Sequence, residues 1–113
     1  MKRGEIWTLR DRQYASKARP VIVIQNDAYD NFDSVILCLF TTYDSSEIEV
    51  RVPVIPTPEN GLHDLSYVMT DKIVTVDKKM LWRNNTSPVE ETIFCRGFYN
   101  LFHRLRMYMQ KPG

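Results

Sequence analysis

The feature that most constrains this chain is the crowding of short β-type runs into its first 77 residues, with no helical periodicity between them. Gly4 to Leu9 alternates roughly and is rich in β-branched and aromatic side chains, and Pro20 to Gln25 is a continuous apolar run suited to a strand buried on both faces. Val35 to Thr42 reads as a third strand. Glu47 to Val52 alternates with one wet face and is closed by Pro53 and Pro56, and Ser66 to Thr70 with Lys72 to Val76 adds one or two more. Strands so short and so closely spaced favour a small barrel or sandwich.

The period then changes. Ser87-Pro88-Val89-Glu90 supplies an N-cap, a proline at the first helical position and the glutamate of a capping box. Phe94, Phe98, Leu101, Phe102, Leu105 and Tyr108 follow at helical spacing, so a C-terminal helix is expected from about 88 to 109. At 113 residues the chain has room for one core, and residues 1–113 read as a single domain. Mainly β with a C-terminal helix is the expected fold class.

A composition of 43% hydrophobic and 26% charged residues is that of a folded globular protein. No apolar stretch has the length of a signal peptide or a membrane helix, so a cytoplasmic protein is expected. Cys38 and Cys95 lie in apolar segments without metal-ligand spacing and read as reduced, buried thiols. The net charge of +1 conceals an uneven distribution: six bases against two acids in residues 1–24, ten acids against two bases in 25–77, and seven bases against two acids thereafter. Such asymmetry is compatible with a local basic surface for phosphates.

Conventional catalytic patterns are absent from the sequence. His63 and His103 sit in no zinc-binding or Cys/His pattern and read as structural or surface residues. Asp27, Asp30 and Asp33 lack the spacing, glycine and terminal glutamate of a calcium loop, and there is no Gly-rich phosphate loop. No metal or other cofactor is expected. What remains is Arg19 directly before a buried strand, held extended by Pro20, and Thr41 and Thr42 at the end of another. A guanidinium presents a planar fork of donors that can grip two nonbridging phosphodiester oxygens, and a threonine hydroxyl can donate to the same group.

Taken together, several segments resemble the MazF/PemK toxins in wording and order. They are Met1-Lys2-Arg3-Gly4-Glu5-Ile6-Trp7, Ala18-Arg19-Pro20-Val21-Ile22-Val23-Ile24-Gln25-Asn26-Asp27, Val35 to Thr42, and Asp71-Lys72-Ile73-Val74-Thr75-Val76-Asp77-Lys78. The resemblance covers most of residues 1 to 82, and the helix matches only in kind. It implies an SH3-like small barrel of the CcdB/MazF type with an appended helix, and a homodimer. It also implies sequence-selective, metal-independent cleavage of single-stranded RNA such as mRNA, and inhibition by a cognate MazE-like antitoxin. In that chemistry the ribose 2′-hydroxyl attacks the adjacent phosphate and leaves a 2′,3′-cyclic phosphate and a 5′-hydroxyl.

Carried onto this sequence, the family's arginine falls on Arg19 and its catalytic threonine best on Thr41, with Thr42 as the fallback. Lys17, Arg10 and Arg12 are candidate phosphate contacts, Tyr14 and Trp7 candidate stacking partners for bases, and Gln25, Thr42, Asp71 and Lys72 further RNA-binding candidates. Because a guanidinium with its pKa above 12 is a poor proton acceptor, Arg19 is assigned charge stabilisation and proton donation, and the general base is left open between Arg19 and water. Two departures bear on base recognition: the connection before Arg19 is short, and Lys72 stands where the family often has glutamine. The rival readings are a CcdB-like noncatalytic poison of DNA gyrase on the same fold, and a noncatalytic RNA- or peptide-binding SH3-like module.

Overall fold

Alternating buried and exposed side chains, interrupted by turn residues, organise the described residues up to Arg83 into one antiparallel sheet. The computed structural model describes residues 1–10 and 18–83 together with Gly97 and Tyr99. Six strands are present among them: β1 (Ile6–Leu9), β2 (Arg19–Val23), β3 (Ser34–Thr41), β4 (Arg51–Val54), β5 (Ser66–Asp77) and β6 (Leu81–Arg83). Short 3-10 turns at Asp27–Tyr29 and Lys78–Met80 precede β3 and β6. The spatial order is β4-β5-β3-β2-β1-β6, with every neighbouring pair antiparallel.

The sheet is curled. Ile6 of β1 and Val52 and Val54 of β4, from distant positions in the strand order, share one buried cluster with Ile22, Cys38, Phe40, Leu62 and Val68. The curl has a local cause in β5. Cys38 pairs with Ile73 but Phe40 pairs with Val68, so Leu39 alone stands opposite Met69 to Lys72, and the strand bends there. β4 and β6 remain separate edges, so among the described residues the barrel is not closed. A second cluster, of Leu9, Val21, Val23, Val35, Leu37, Val76 and Leu81, covers the other face, with half-buried Trp7 and Met80 packed against it. β2 feeds both clusters, which is why its apolar run is continuous.

Several strand boundaries differ from expectation. Glu47 to Val50 forms turns, and β4 begins only at Arg51 and runs through Pro53. An edge strand tolerates proline because its missing N–H need not pair with a neighbour. The two expected segments after Ser66 are one twelve-residue strand with a bend. The expected helix at 88–109 lies outside the described residues except for Gly97 and Tyr99, both helical in backbone. Gly97 is buried so closely against the sheet that a Cβ would come within 2.6 Å of Thr70 Cγ2 and 2.7 Å of Val52 Cγ2. Only a residue without a side chain fits this approach.

The acidic segment after β2 ties down the N-terminus. Asp27 Oδ1 accepts the Arg3 N–H at 2.7 Å, and the Asp30 carboxylate accepts the N-terminal ammonium at 3.0 Å and Lys78 Nζ at 3.1 Å. The hydrogen bond from the terminal ammonium, followed by that from Lys78, holds the Asp30 carboxyl below its ordinary value of 3.8. A carboxylate depressed on folding contributes stability above the unfolded-state pKa and loses it as pH falls through the folded one. Asp30→Asn should therefore lower the urea midpoint slightly at pH 7, and the difference from the parent should vanish below the folded-state pKa. Equal differences at both pH values would refute the linkage.

Candidate functional site

Three strand ends converge at one rim of the first core. Thr8, Pro20 and Thr42 lie two residues beyond Ile6, Ile22 and Phe40 along their strands, and therefore on the same face, where the core ends and solvent begins. They line a cleft of about 300 Å³. Arg19 opens into it from the first position of β2, exposed, with its backbone held opposite Leu9. The loop between β4 and β5 adds Gly61, Leu62, His63 and Asp64 to the lining, and the first residue of β5 adds Ser66.

That loop is held by its own polar groups. Buried Asn60 accepts the N–H groups of Thr57 and Leu62 on Oδ1, at 3.0 and 3.1 Å, and donates from Nδ2 to the Ile55 carbonyl at 2.8 Å. Gly61 follows with φ of 71°, the left-handed conformation that turns the chain back toward the cleft. Ser66 Oγ donates to the Asp64 carbonyl at 3.0 Å. His63 and Asp64 are exposed at the cleft. The sequence reading took His63 as a structural or surface residue and did not single out Asp64, because their place depends on a loop folding back onto strand ends more than twenty residues earlier in the chain.

The expected site residues separate into groups. Arg19 and Thr42 share the cleft. Thr41, half-buried at the end of β3 and paired with Tyr67, does not line it; its Oγ1 accepts the Tyr43 N–H at 3.1 Å, a bond that leaves the hydroxyl proton free to donate. Arg10 places its guanidinium 4.4 Å from the centre of the Trp82 ring. Lys17, Arg12 and Tyr14 lie outside the described residues. Trp7 packs against the second core.

Gln25 lies six residues from Arg19, about 20 Å along an extended chain, and both ends of its amide are engaged: Nε2 donates to the Tyr29 carbonyl at 2.7 Å and Oε1 accepts the Ile36 N–H at 3.1 Å. It latches the connection between β2 and β3 and does not line the cleft. Asp71 and Lys72 sit at the bend of β5, also away from it, with Asp71 paired to Arg51 at 3.4 Å.

A second hollow of about 410 Å³ lies beside Arg51 and is lined by Ser46, Glu47, Ile48, Glu49 and Tyr67. Its two glutamates repel phosphate, and its cation is already paired with Asp71. The Arg19 cleft is the better seat for a phosphodiester.

One aromatic side chain extends this site. Trp82 of β6 pairs with Thr8 of β1, which in turn pairs with Pro20 of β2, so all three project from the same face of adjacent strands. Trp82 is 57% exposed and stands two strand spacings, roughly 10 Å, from Pro20 at the cleft. Among the described residues, no cluster of three or more His, Cys, Asp and Glu side chains is placed to hold a metal ion. Cys38 is buried and free, and burial, followed by the charge of Asp71, pushes its thiol pKa up to about 12.

The family model described as PemK-like, MazF-like toxin of type II toxin-antitoxin system matches residues 2–93. The chain belongs to this toxin family. A curated relative from Mycolicibacterium smegmatis (strain ATCC 700084 / mc(2)155), named probable endoribonuclease MazF, is 42% identical over 82 residues, which cover 72% of this chain and 75% of the relative. Among solved structures, Mycobacterium tuberculosis toxin MazF-mt6 superposes with a TM-score of 0.72 at 24% identity, covering 88% of this toxin and 96% of that chain. An endoribonuclease in complex with its cognate antitoxin, from mycobacterial species, gives 0.71 at 22% identity, covering 95% and 96%. MazF from Deinococcus radiodurans gives 0.70 at 17% identity, covering 95% and 97%. These superpositions support the MazF-like fold of the toxin. No helix among the described residues is long and apolar enough to cross a membrane.

Proposed function

We propose that this toxin is an endoribonuclease that cuts single-stranded RNA in the Arg19 cleft without a metal ion. The observation that carries this reading is the presence, in one open cleft, of an exposed guanidinium and a threonine hydroxyl at adjoining strand ends. The Arg19 fork grips two nonbridging oxygens and stabilises the charge that accumulates as phosphorus becomes five-coordinate. The hydroxyl comes from the Thr41–Thr42 step, with Thr42 favoured because it lines the cleft. The ribose 2′-oxygen loses its proton and bonds to phosphorus, the bond to the 5′-oxygen breaks, and that oxygen takes up a proton. The products are a 2′,3′-cyclic phosphate and a 5′-hydroxyl. The curated relative's name, probable endoribonuclease MazF, supports the reaction class.

Thr42→Val is expected to slow cleavage of a single-stranded RNA at least tenfold without loss of stability, the range for losing one oxyanion donor being about 100-fold or more. Thr41→Val is expected to act mainly through the turn at Tyr43 and to lower the unfolding midpoint. The reverse pattern in rates would move the hydroxyl to Thr41. Unchanged rates in both variants would remove the threonines from the mechanism.

The Trp82 face supplies a place for a neighbouring base to stack while Arg10 covers the ring. A stacked base contributes about 1–3 kcal/mol, so Trp82→Ala should raise KM roughly 5- to 150-fold with a smaller change in kcat. An unaltered KM would show that RNA does not pass over β6.

Two partners accompany this reading. A cognate antitoxin is supported by the structural neighbour described in complex with its own. A homodimer is supported by apolar side chains left exposed on one face of β3 and β5, where Ile36 and Ile73 are 38% and 42% exposed.

A further inference from the structure

The RNA-cleaving reading leaves one chemical task unassigned. The 2′-hydroxyl must give up its proton as it attacks, and neither a protonated guanidinium nor a threonine hydroxyl is an effective acceptor near neutral pH. Among the described residues lining the cleft, two side chains can take a proton there, His63 and Asp64. Both are brought to the cleft by the loop that Asn60 and Gly61 hold in place. They differ as bases. An ordinary carboxylate, with a pKa of about 3.9, is a weaker acceptor than an imidazole, with a pKa of about 6.5, and general-base efficiency is best when the pKa lies close to the working pH.

We infer that His63 is the general base of this toxin's RNA cleavage, accepting the ribose 2′-hydroxyl proton in the cleft that it lines together with Arg19. The inference rests on the RNA-cleaving reading and deepens it. In the step, an unprotonated imidazole nitrogen takes the 2′-hydroxyl proton as the bond from O2′ to phosphorus forms. The bond from phosphorus to O5′ breaks, and the departing oxygen takes a proton from water. The imidazolium then returns its proton to the hydroxide so formed, and the site is restored. The charged residues that line the cleft with it, among the described residues, are Arg19 from β2 and Asp64 from the same loop. Asn60 is a positioning residue here, because it reaches the reaction only through the loop it latches.

The test is a pH–rate profile of single-stranded RNA cleavage by the full chain, in its native assembly, for the parent, His63→Gln, His63→Ala and Asp64→Asn. General-base catalysis contributes about 100- to 10,000-fold. His63→Gln is expected to cut at least 100-fold more slowly and to lose the acid limb of the profile, the fall in rate as the base becomes protonated. Free imidazole should restore cleavage by His63→Ala, with the rescued rate rising as imidazole deprotonates. Asp64→Asn should lose less than tenfold and keep the limb. Parental rates and an unchanged profile in His63→Gln, alongside an inactive Arg19→Ala, would overturn this inference and leave the RNA-cleaving reading intact. A large loss in Asp64→Asn with none in His63→Gln would transfer the role to the carboxylate. Intact RNA with the parent protein would remove the RNA-cleaving reading itself, and this inference with it.

Discussion

Arg19→Ala is expected to cleave single-stranded RNA at least 100-fold more slowly than the parent while unfolding at nearly the same temperature. The two halves of this expectation have different physical origins. The backbone of Arg19 is held by its place opposite Leu9 in the antiparallel ladder, which an alanine keeps, and the side chain is exposed. Exposed substitutions of this kind usually change stability by no more than about 0.5 kcal/mol. The guanidinium, by contrast, is asked to hold two oxygens of a phosphorus whose charge grows toward the transition state, and loss of even one preorganised donor of that type costs about 100- to 1,000-fold. Arg19→Lys should recover only part of the rate, because an ammonium keeps the charge but not the planar fork. Full activity in either variant would place the phosphate elsewhere.

Ile22→Ala is expected to have the largest effect on stability. Ile22 is completely buried in β2, pairs with Ile6 on one side and Cys38 on the other, and both neighbours belong to the same cluster. Truncating a buried isoleucine to alanine costs about 2–5 kcal/mol, the lost transfer energy being increased by the cavity left behind. Set against the roughly 5–15 kcal/mol that keeps a domain folded, this is a large fraction. The urea midpoint should fall substantially with little change in slope, and thermal unfolding should begin well below that of the parent. A change under 1 kcal/mol would mean that the core beneath the cleft collapses to fill the space.

How much of this was legible in the sequence depended on the range over which each feature is decided. β1, β2 and β3 could be read to within a residue or two, because alternation and apolar runs are local and the buried faces enforce them. β4 was displaced because Glu47 to Val52 alternates well, while the decisive facts, a turn at Ser45 to Val50 and an edge position that admits Pro53, depend on neighbours. β6 is only three residues long and leaves no periodic signal.

The site divides in the same way. Arg19 and Thr42, which line the cleft, could be picked out from their positions at strand ends, whereas Thr41, the preferred threonine, does not line it. His63 could not, since it reaches the cleft through a loop held by Asn60, nor could the Arg10–Trp82 contact, which joins residues 72 positions apart. Gln25, expected from the sequence as an RNA-binding candidate, lies outside the cleft, and a side-chain amide between a buried strand and a dense group of turn residues is well suited to the latch it forms.

The central claim is that Arg19 and a neighbouring hydroxyl hold one backbone phosphate while the adjoining ribose breaks the strand. Digestion of a defined single-stranded RNA in excess EDTA, followed by analysis of the new ends, tests it most directly. The account predicts cleavage at a limited set of sites, with a 2′,3′-cyclic phosphate on one fragment and a 5′-hydroxyl on the other. Intact RNA, 5′-phosphate ends, or a gyrase-dependent DNA break with the RNA untouched would contradict it.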